Sequence, residues 1–351
     1  MVKERLYRIE VVPRCLTFKR PAGTSRGVYT TRKVWEVRIR KEDEPSVIGI
    51  GECAPLPDLS CDYGVDYEIT LSKACLDLEQ KGYVDTESLR HYPSILFGLE
   101  TAMRHYEQGG WRHYDTPFSQ GQAGIPINGL IWMGDYKYML EQVEEKMKEG
   151  FRCVKLIGAI DFDRELSLLK HIRAHFSAKE IELRVDANGA FTPPEAMDKL
   201  KRLAEMDLHS IEQPIRAGQL EEMAHLAAES PLPIALDEEL IGCNAPDEKR
   251  RLLETIHPQY IILKPSPHGG IAGCTEWVHL AETILGSTPE RPKWWVTSAL
   301  ESQIGLNAIA QWCATLGNPL PQGLGTGEIF KDDKHRLIQR KGDTIWFTND
   351  L

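Results

Sequence analysis

Four charged residues mark the ends of four strand-like runs, and their spacing narrows the possible folds. The runs are Glu182-Leu183-Arg184-Val185-Asp186, Ser210-Ile211-Glu212, Ile234-Ala235-Leu236-Asp237 and Tyr260-Ile261-Ile262-Leu263-Lys264. Intervals of 26, 25 and 27 residues separate Asp186, Glu212, Asp237 and Lys264. Each interval has room for one strand, one helix and two loops. A parallel barrel built of such units gathers the C-terminal ends of its strands at one mouth. Three carboxylates meeting there would repel one another unless positive charge stood between them. Oxygen-only ligands suit a hard cation such as Mg2+, with Mn2+ able to substitute. A lone acid at a strand end is more often a cap or loop residue. Three at matching positions on consecutive strands make Asp186, Glu212 and Asp237 candidate metal ligands.

The rest of the chain alternates in the same way. Strands are expected near 126–130, 152–156, 182–186, 209–212, 233–237, 259–264, 294–298 and 322–324. Helices are expected over 135–149, 163–176, 193–206, 218–229, 246–256, 272–285 and 302–316. Thr192 followed by Pro193 and Glu195 reads as a helix start, and Gly150 and Gly286 read as helix stops. Eight strands with seven helices indicate an α/β chain with a (β/α)7β TIM-like barrel. An open doubly wound sheet is the alternative, but no GxGxxG follows an early strand. Residues 5 to about 55 differ, with β-branched runs at 8–12, 34–39 and 47–52, and two helical stretches follow near 65–81 and 93–108. Between the first two runs, Arg20 to Gly27 reads as a loop. These features predict an α+β capping domain over 1–120, completed by 328–351, and a barrel domain over 121–327.

Composition excludes some classes of partner. The 351 residues carry a net charge of -10 with no long Lys/Arg run, which argues against nucleic acid as a partner. No apolar run approaches the roughly 18 residues of a membrane span. Met1 to Arg5 lacks the apolar core of a signal peptide. Eight cysteines without a CxxC pair read as reduced thiols, and the expectation is a cytoplasmic protein.

Two lysines complete the chemistry. Lys264 ends an apolar run, and strand alternation puts Cys153, Lys155 and Ile157 on one face. A buried lysine at a barrel mouth can move a proton or clamp a negative charge. Lysines flanking a metal site suit removal of a proton next to a carboxylate. The expected partner is therefore a small anionic carboxylate substrate.

These residues resemble the enolase superfamily in its muconate-lactonizing subgroup, and within that subgroup the o-succinylbenzoate synthases. The resemblance covers essentially the whole chain. It is carried by Pro21 to Gly27, Gly51-Glu52-Cys53-Ala54-Pro55-Leu56-Pro57, Ile127 to Trp132, Arg184-Val185-Asp186-Ala187-Asn188-Gly189, Ile211-Glu212-Gln213-Pro214, Leu236-Asp237-Glu238, Leu263-Lys264-Pro265 and Thr297 to Ser302. It implies a lyase of menaquinone biosynthesis that dehydrates a succinyl-bearing cyclohexadiene carboxylate. It implies Mg2+ on Asp186, Glu212 and Asp237, and Lys155 and Lys264 as the catalytic lysines. Asn188, Ser298 and Ala299 would line the substrate, and the loop around Arg26 and the turn from Cys53 to Pro57 would close over it. Arg26 is expected to meet a substrate anion.

One departure stands out. The family carries K-x-K on the second barrel strand, with the second lysine as acid/base, whereas this chain reads Lys155-Leu156-Ile157-Gly158. Lys155 matches the first lysine. Either the strand keeps Cys153 and Lys155 inward and absorbs the shortening after Gly158, or a further lysine side chain stands between Leu156 and Ile157 that the written sequence lacks. The second outcome is slightly favoured, since the rest of the motif set is intact. Two other functions stay open, a dipeptide epimerase or N-acylamino acid racemase and a catalytically impaired relative. The 321–327 segment has no acid to hold a substrate ammonium, which disfavours the racemase.

Overall fold

The computed structural model describes residues 5–24, 27–132, 134–157 and 161–348. The chain opens with an antiparallel sheet in which β1 (Arg8–Thr24) pairs with β2 (Gly27–Arg40), and β2 with β3 (Gly49–Cys53). The hairpin corrects the loop expected over 20–27. Pairing breaks register between Thr17 and Ala22, then resumes at Ala22↔Tyr29 and runs to Thr24↔Gly27. The break acts as a bulge that lets the hairpin carry on past Pro21, which has no N–H to offer a ladder.

Three helices follow, α1 (Tyr67–Lys81), the short α2 (Thr86–Leu89) and α3 (Pro93–Gln108). Ile95, Leu99 and Ala102 of α3 and Leu71 and Leu78 of α1 bury against Val37 and Ile39 of β2. β3 and α3 approach closely because both have glycine at the crossing. A Cβ on Gly98 would lie 2.2 Å from Cys53 Sγ, and one on Gly51 would lie 2.0 Å from the Gly98 carbonyl oxygen.

The alternating part begins with β4 (Ile125–Pro126) and β5 (Gly129–Ile131). Then come α4 (Tyr136–Lys148), β6 (Cys153–Ile157), α5 (Phe162–His175), β7 (Glu182–Asp186), α6 (Pro193–Ala204) and β8 (Ser210–Glu212). α7 (Leu220–Glu229), β9 (Ile234–Leu236), α8 (Pro246–Ile256), β10 (Tyr260–Leu263), α9 (Gly270–Ile284), β11 (Trp294–Val296) and α10 (Gln303–Thr315) complete it. The strands β5 to β11 form one parallel sheet in chain order. Residues 322–323 close it into a barrel: Gln322 bridges Ile127 and Gly323 bridges Thr297, both in parallel. The backbone N–H of Gly323 donates to Val296 and that of Gln322 to Pro126, each at 2.8 Å.

The helix signals read from sequence have visible causes. The Thr192 N–H donates to Glu195 Oε1 at 3.0 Å ahead of Pro193. Gly150 and Gly286 take left-handed φ of 84° and 69° after α4 and α9. Val154, Leu156 and Leu183 turn outward into the main core with Leu166 and Leu169 of α5.

After the barrel the chain divides. Phe330 bridges Phe18, the Lys331 N–H donates to the Thr17 carbonyl at 2.9 Å, and the Thr17 N–H donates to Asp332 Oδ1 at 2.8 Å. Beyond that, β12 (Ile338–Lys341) and β13 (Thr344–Phe347) form a hairpin that pairs with β4.

Candidate active site

Inward and outward positions alternate along each barrel strand, so the interior fills in layers. In the deeper layer the Arg184 guanidinium lies 4.2 Å from the centroid of the Trp295 ring and donates to the Pro321 carbonyl at 2.9 Å. Glu182 pairs with it at 2.7 Å. Above this floor stand the strand-end acids. Asp186 and Glu212 close β7 and β8 side by side in register, and Asp237 follows β9. All three are buried, at 6%, 2% and 3% exposure, so their charges must be met from within the protein.

Two lysines meet them. Lys155 Nζ lies 2.8 Å from Asp186 Oδ2 and 2.6 Å from Glu212 Oε2. Lys264 Nζ pairs with Asp237 Oδ2. Burial acts against both ammonium groups, but the carboxylates outweigh it and hold both lysines above the ordinary lysine value. Burial, then Asp186, pushes Glu212 well up. Burial acts upward on Asp237 too, yet Lys264 brings it down to about 2. Among the described residues, no three or more His, Cys, Asp or Glu side chains gather as a ready-made metal cluster, and the ammonium groups stand among the acids.

A cavity of about 390 Å³ opens over these groups. Lys155, Asp186, Asn188, Asp237 and Lys264 line its floor, and Ser298, Ala299 and Leu300 one wall. Phe18, Tyr29, Leu56 and Leu59 reach over from the N-terminal sheet and its loops. The structure thus brings Lys155, Lys264, Asp186, Asp237, Asn188, Ser298 and Ala299 to one cavity, with Glu212 bonded to Lys155 beside it. Asn188 takes a left-handed φ of 46° and donates from Nδ2 to Asp186 Oδ1 at 2.8 Å. Ser298 shares a 2.6 Å hydrogen bond with Thr326. Arg26 lies outside the described residues.

The second barrel strand places Lys155 below the level of the acids. β6 runs unbroken from Leu156 to Ile157, in register with Val185 and Asp186 of β7. Ile157 holds the place opposite Asp186, and Lys155 sits two residues deeper, opposite Arg184. Gly158, after which the shortening would be taken up, lies outside the described residues.

Three residues gain roles that sequence reasoning did not give them. Gln213 Oε1 accepts from the backbone N–H of Asp237 and of Glu239, each at 3.2 Å, while its Nε2 donates to Glu239 Oε2 at 3.1 Å. It fixes the turn that presents Asp237. His268 is fully buried, and burial lowers it to about 3, so it is a neutral neighbour. Its Nδ1 accepts from the Lys264 N–H at 3.1 Å, and its Nε2 lies 3.8 Å from Asp237 Oδ1. Glu238 lines the cavity, and burial followed by Asp237 and Asp186 pushes it up to about 8. The Glu-Gln-Pro and Asp-Glu strings were a signal for Gln213 and Glu238. No local signal marks His268.

Comparison with known proteins agrees with this geometry. The family described as "Enolase C-terminal domain-like" matches residues 138–339. The o-succinylbenzoate synthase of Desulfotalea psychrophila is 44% identical over 91% of this chain and 93% of its own. The crystal structure of MenC from the same organism superposes with a TM-score of 0.83 at 37% identity, covering 97% of this chain and 99% of that one. An Enterococcus faecalis dipeptide epimerase complexed with Mg and L-Leu-L-Tyr shares the fold, with a TM-score of 0.82 at 17% identity over 98% and 97% of the two chains. The chain therefore belongs to the enolase superfamily, and its kinship there is to the o-succinylbenzoate synthases, enzymes of the lyase class.

Proposed function

We propose that this chain binds 2-succinyl-6-hydroxy-2,4-cyclohexadiene-1-carboxylate and eliminates water from it to give o-succinylbenzoate, a step of menaquinone biosynthesis in the cytoplasm. What carries the reading is the meeting of buried Asp186, Asp237 and Lys264 at one cavity, with buried Glu212 beside it, in a chain 44% identical to an o-succinylbenzoate synthase. Residues 1–120 with 328–351 would act as the cap, and 121–327 as the barrel beneath it.

Asp186, Glu212 and Asp237 are the proposed ligands of Mg2+. The donors are all carboxylate oxygens, as a hard cation prefers. Glu212 Oε1 and Asp237 Oδ1 are buried without a hydrogen-bond partner, which suits a further positive charge. Bound there, the cation would offset negative charge growing on the substrate carboxylate. Lys264 would keep its proton and face that carboxylate from the sixth strand end. Asn188 would hold Asp186 in place, and Ser298 and Ala299 would flank the succinyl chain.

The reaction needs a base on the opposite side to take the proton next to the carboxylate and return it to the leaving hydroxyl. Lys155 is poorly suited. Its ammonium is held protonated between Asp186 and Glu212, and it starts two residues below the level of Asp186. This observation favours a second reading beside the first, in which the substrate class is kept and turnover is much reduced. Incubating the protein with Mg2+ and the cyclohexadiene carboxylate, and separately with L-Ala-L-Glu, separates the possibilities. Slow formation of o-succinylbenzoate with no dipeptide epimerisation is expected. Epimerisation faster than dehydration would overturn the proposal.

A further inference from the structure

Arg32 lies on β2, away from the strand-end acids, at 2% exposure. A buried arginine needs its donors and its charge met, and four backbone carbonyls meet the donors. Nη1 donates to Pro55 and Nη2 to Ala54, each at 2.5 Å. Nη2 also donates to Ala299, and Nε to Leu300, each at 3.3 Å. Buried Glu301 and Glu52 lie close enough to favour its charge, although burial raises both carboxyls.

These carbonyls belong to two loops that come from different parts of the chain. Ala54 and Pro55 lead into Leu56 and Leu59, and Ala299 and Leu300 follow β11. All four of the side chains Leu56, Leu59, Ala299 and Leu300 line the cavity. Neighbouring contacts share the joint. The Ser302 N–H donates to Glu52 Oε1 at 2.9 Å, and the Ala299 N–H donates to Glu301 Oε2 at 2.7 Å. Leu300 takes a left-handed φ of 62°, a conformation that a non-glycine residue keeps only when its surroundings impose it. The Arg32 bond to its carbonyl is one such constraint.

We infer that Arg32 is a positioning residue that ties the Ala54–Pro55 turn to the Ala299–Leu300 turn, so that two walls of the cavity move as one and set the room for the substrate's succinyl arm. The part about the arm rests on the function proposed above, whereas the coupling of the turns does not. Only a planar fork can serve both turns at once. A lysine has the charge but one nitrogen and three donors, so it cannot span the four carbonyls.

The test is amide hydrogen exchange of segments 53–57 and 298–302 in the wild-type protein and in Arg32→Lys, with calorimetric binding of o-succinylbenzoate and of benzoate, which lacks the succinyl arm. In the wild type the two segments should open at rates within about two-fold of each other. In the variant both should exchange about ten-fold faster, with α3 and α9 unchanged, for the loss of roughly one or two net hydrogen bonds. Affinity for o-succinylbenzoate should fall about ten-fold while that for benzoate holds. Unequal opening of the two segments in the wild type, or acceleration of only one in the variant, overturns the coupling. Equal weakening of both ligands overturns the role in seating the arm. Wild-type protein that fails to bind o-succinylbenzoate counts against the proposed function, and the exchange rates still decide whether Arg32 couples the turns.

Discussion

Inserting one lysine between Leu156 and Ile157 should raise dehydratase activity sharply. Ile157 now holds the position opposite Asp186, and Lys155 stands two residues lower on β6. At about 3.3 Å per residue of parallel strand, the Lys155 backbone is roughly 6.6 Å further down the barrel. Its side chain uses its length to reach Asp186 and Glu212, which hold it protonated. Two losses compound. A reacting group misplaced by about 1 Å can cost on the order of 100-fold, and loss of a general base costs roughly 100- to 10,000-fold. The inserted lysine would stand opposite Asp186 and leave Lys155 in place. We expect kcat to rise by at least about 100-fold, the lower end of the general-base range. Loss of the cyclohexadiene absorbance in steady state, with Mg2+ saturating, measures it. The same insertion with Lys264→Ala should recover far less. If the natural chain turns over as fast as the insertion variant, another group supplies the base and this reasoning is wrong.

Four further outcomes follow from the geometry. Crystals soaked in Mn2+ should show anomalous density among Asp186, Glu212 and Asp237, and density elsewhere alone would dismiss those ligands. Lys264→Ala should lower turnover by roughly 100-fold or more while Mg2+ affinity, read by calorimetry, stays largely intact. Glu100, from α3, accepts from the Ile271 and Ala272 N–H groups at the start of α9 at 2.7 and 3.1 Å, and burial raises it from 4.5 to about 7. The folded protein then holds a proton that the unfolded chain releases, so this stabilising term is full below pH 4.5 and fades as pH climbs through about 7; Glu100→Gln should flatten the fall in melting temperature over that window, and an unchanged slope would count against it. Gly98→Ala should destabilise the protein by about 1–3 kcal/mol in urea, because its Cβ would press on Cys53, and a neutral result would mean that β3 and α3 can part.

The barrel was legible because its repeat is local. Each strand, helix and strand-end charge falls within one interval of about 26 residues. The observed helices α4 to α10 lie within a few residues of the positions read from periodicity, and Asp186, Glu212 and Asp237 sit where their spacing placed them. Distant contacts were not legible. Arg20 to Gly27 carries the residues of a turn, yet the hairpin continues through Ala22 to Thr24. Nothing in the run Thr30-Thr31-Arg32-Lys33 marks Arg32 as interior. Only the meeting of two distant turns makes it interior. His268 earns its place by folding back on Lys264. On β6, the depth of Lys155 relative to Asp186 follows from the pairing register, which no local pattern shows.

The bridge from Phe18 to Phe330 bears on how the chain is made. The segment that joins β1 is made more than 300 residues after it. At roughly 5–20 residues per second, that interval is about 15 to 60 s. During this time β1 is an outer strand with its far side bare, open to pairing with another nascent chain. Arg8, Glu10, Arg14, Lys19 and Arg20 are spread along it. Such charges discourage stacking of one strand edge upon another. They keep this sheet solitary until the distant segment arrives beside Thr17 to Lys19.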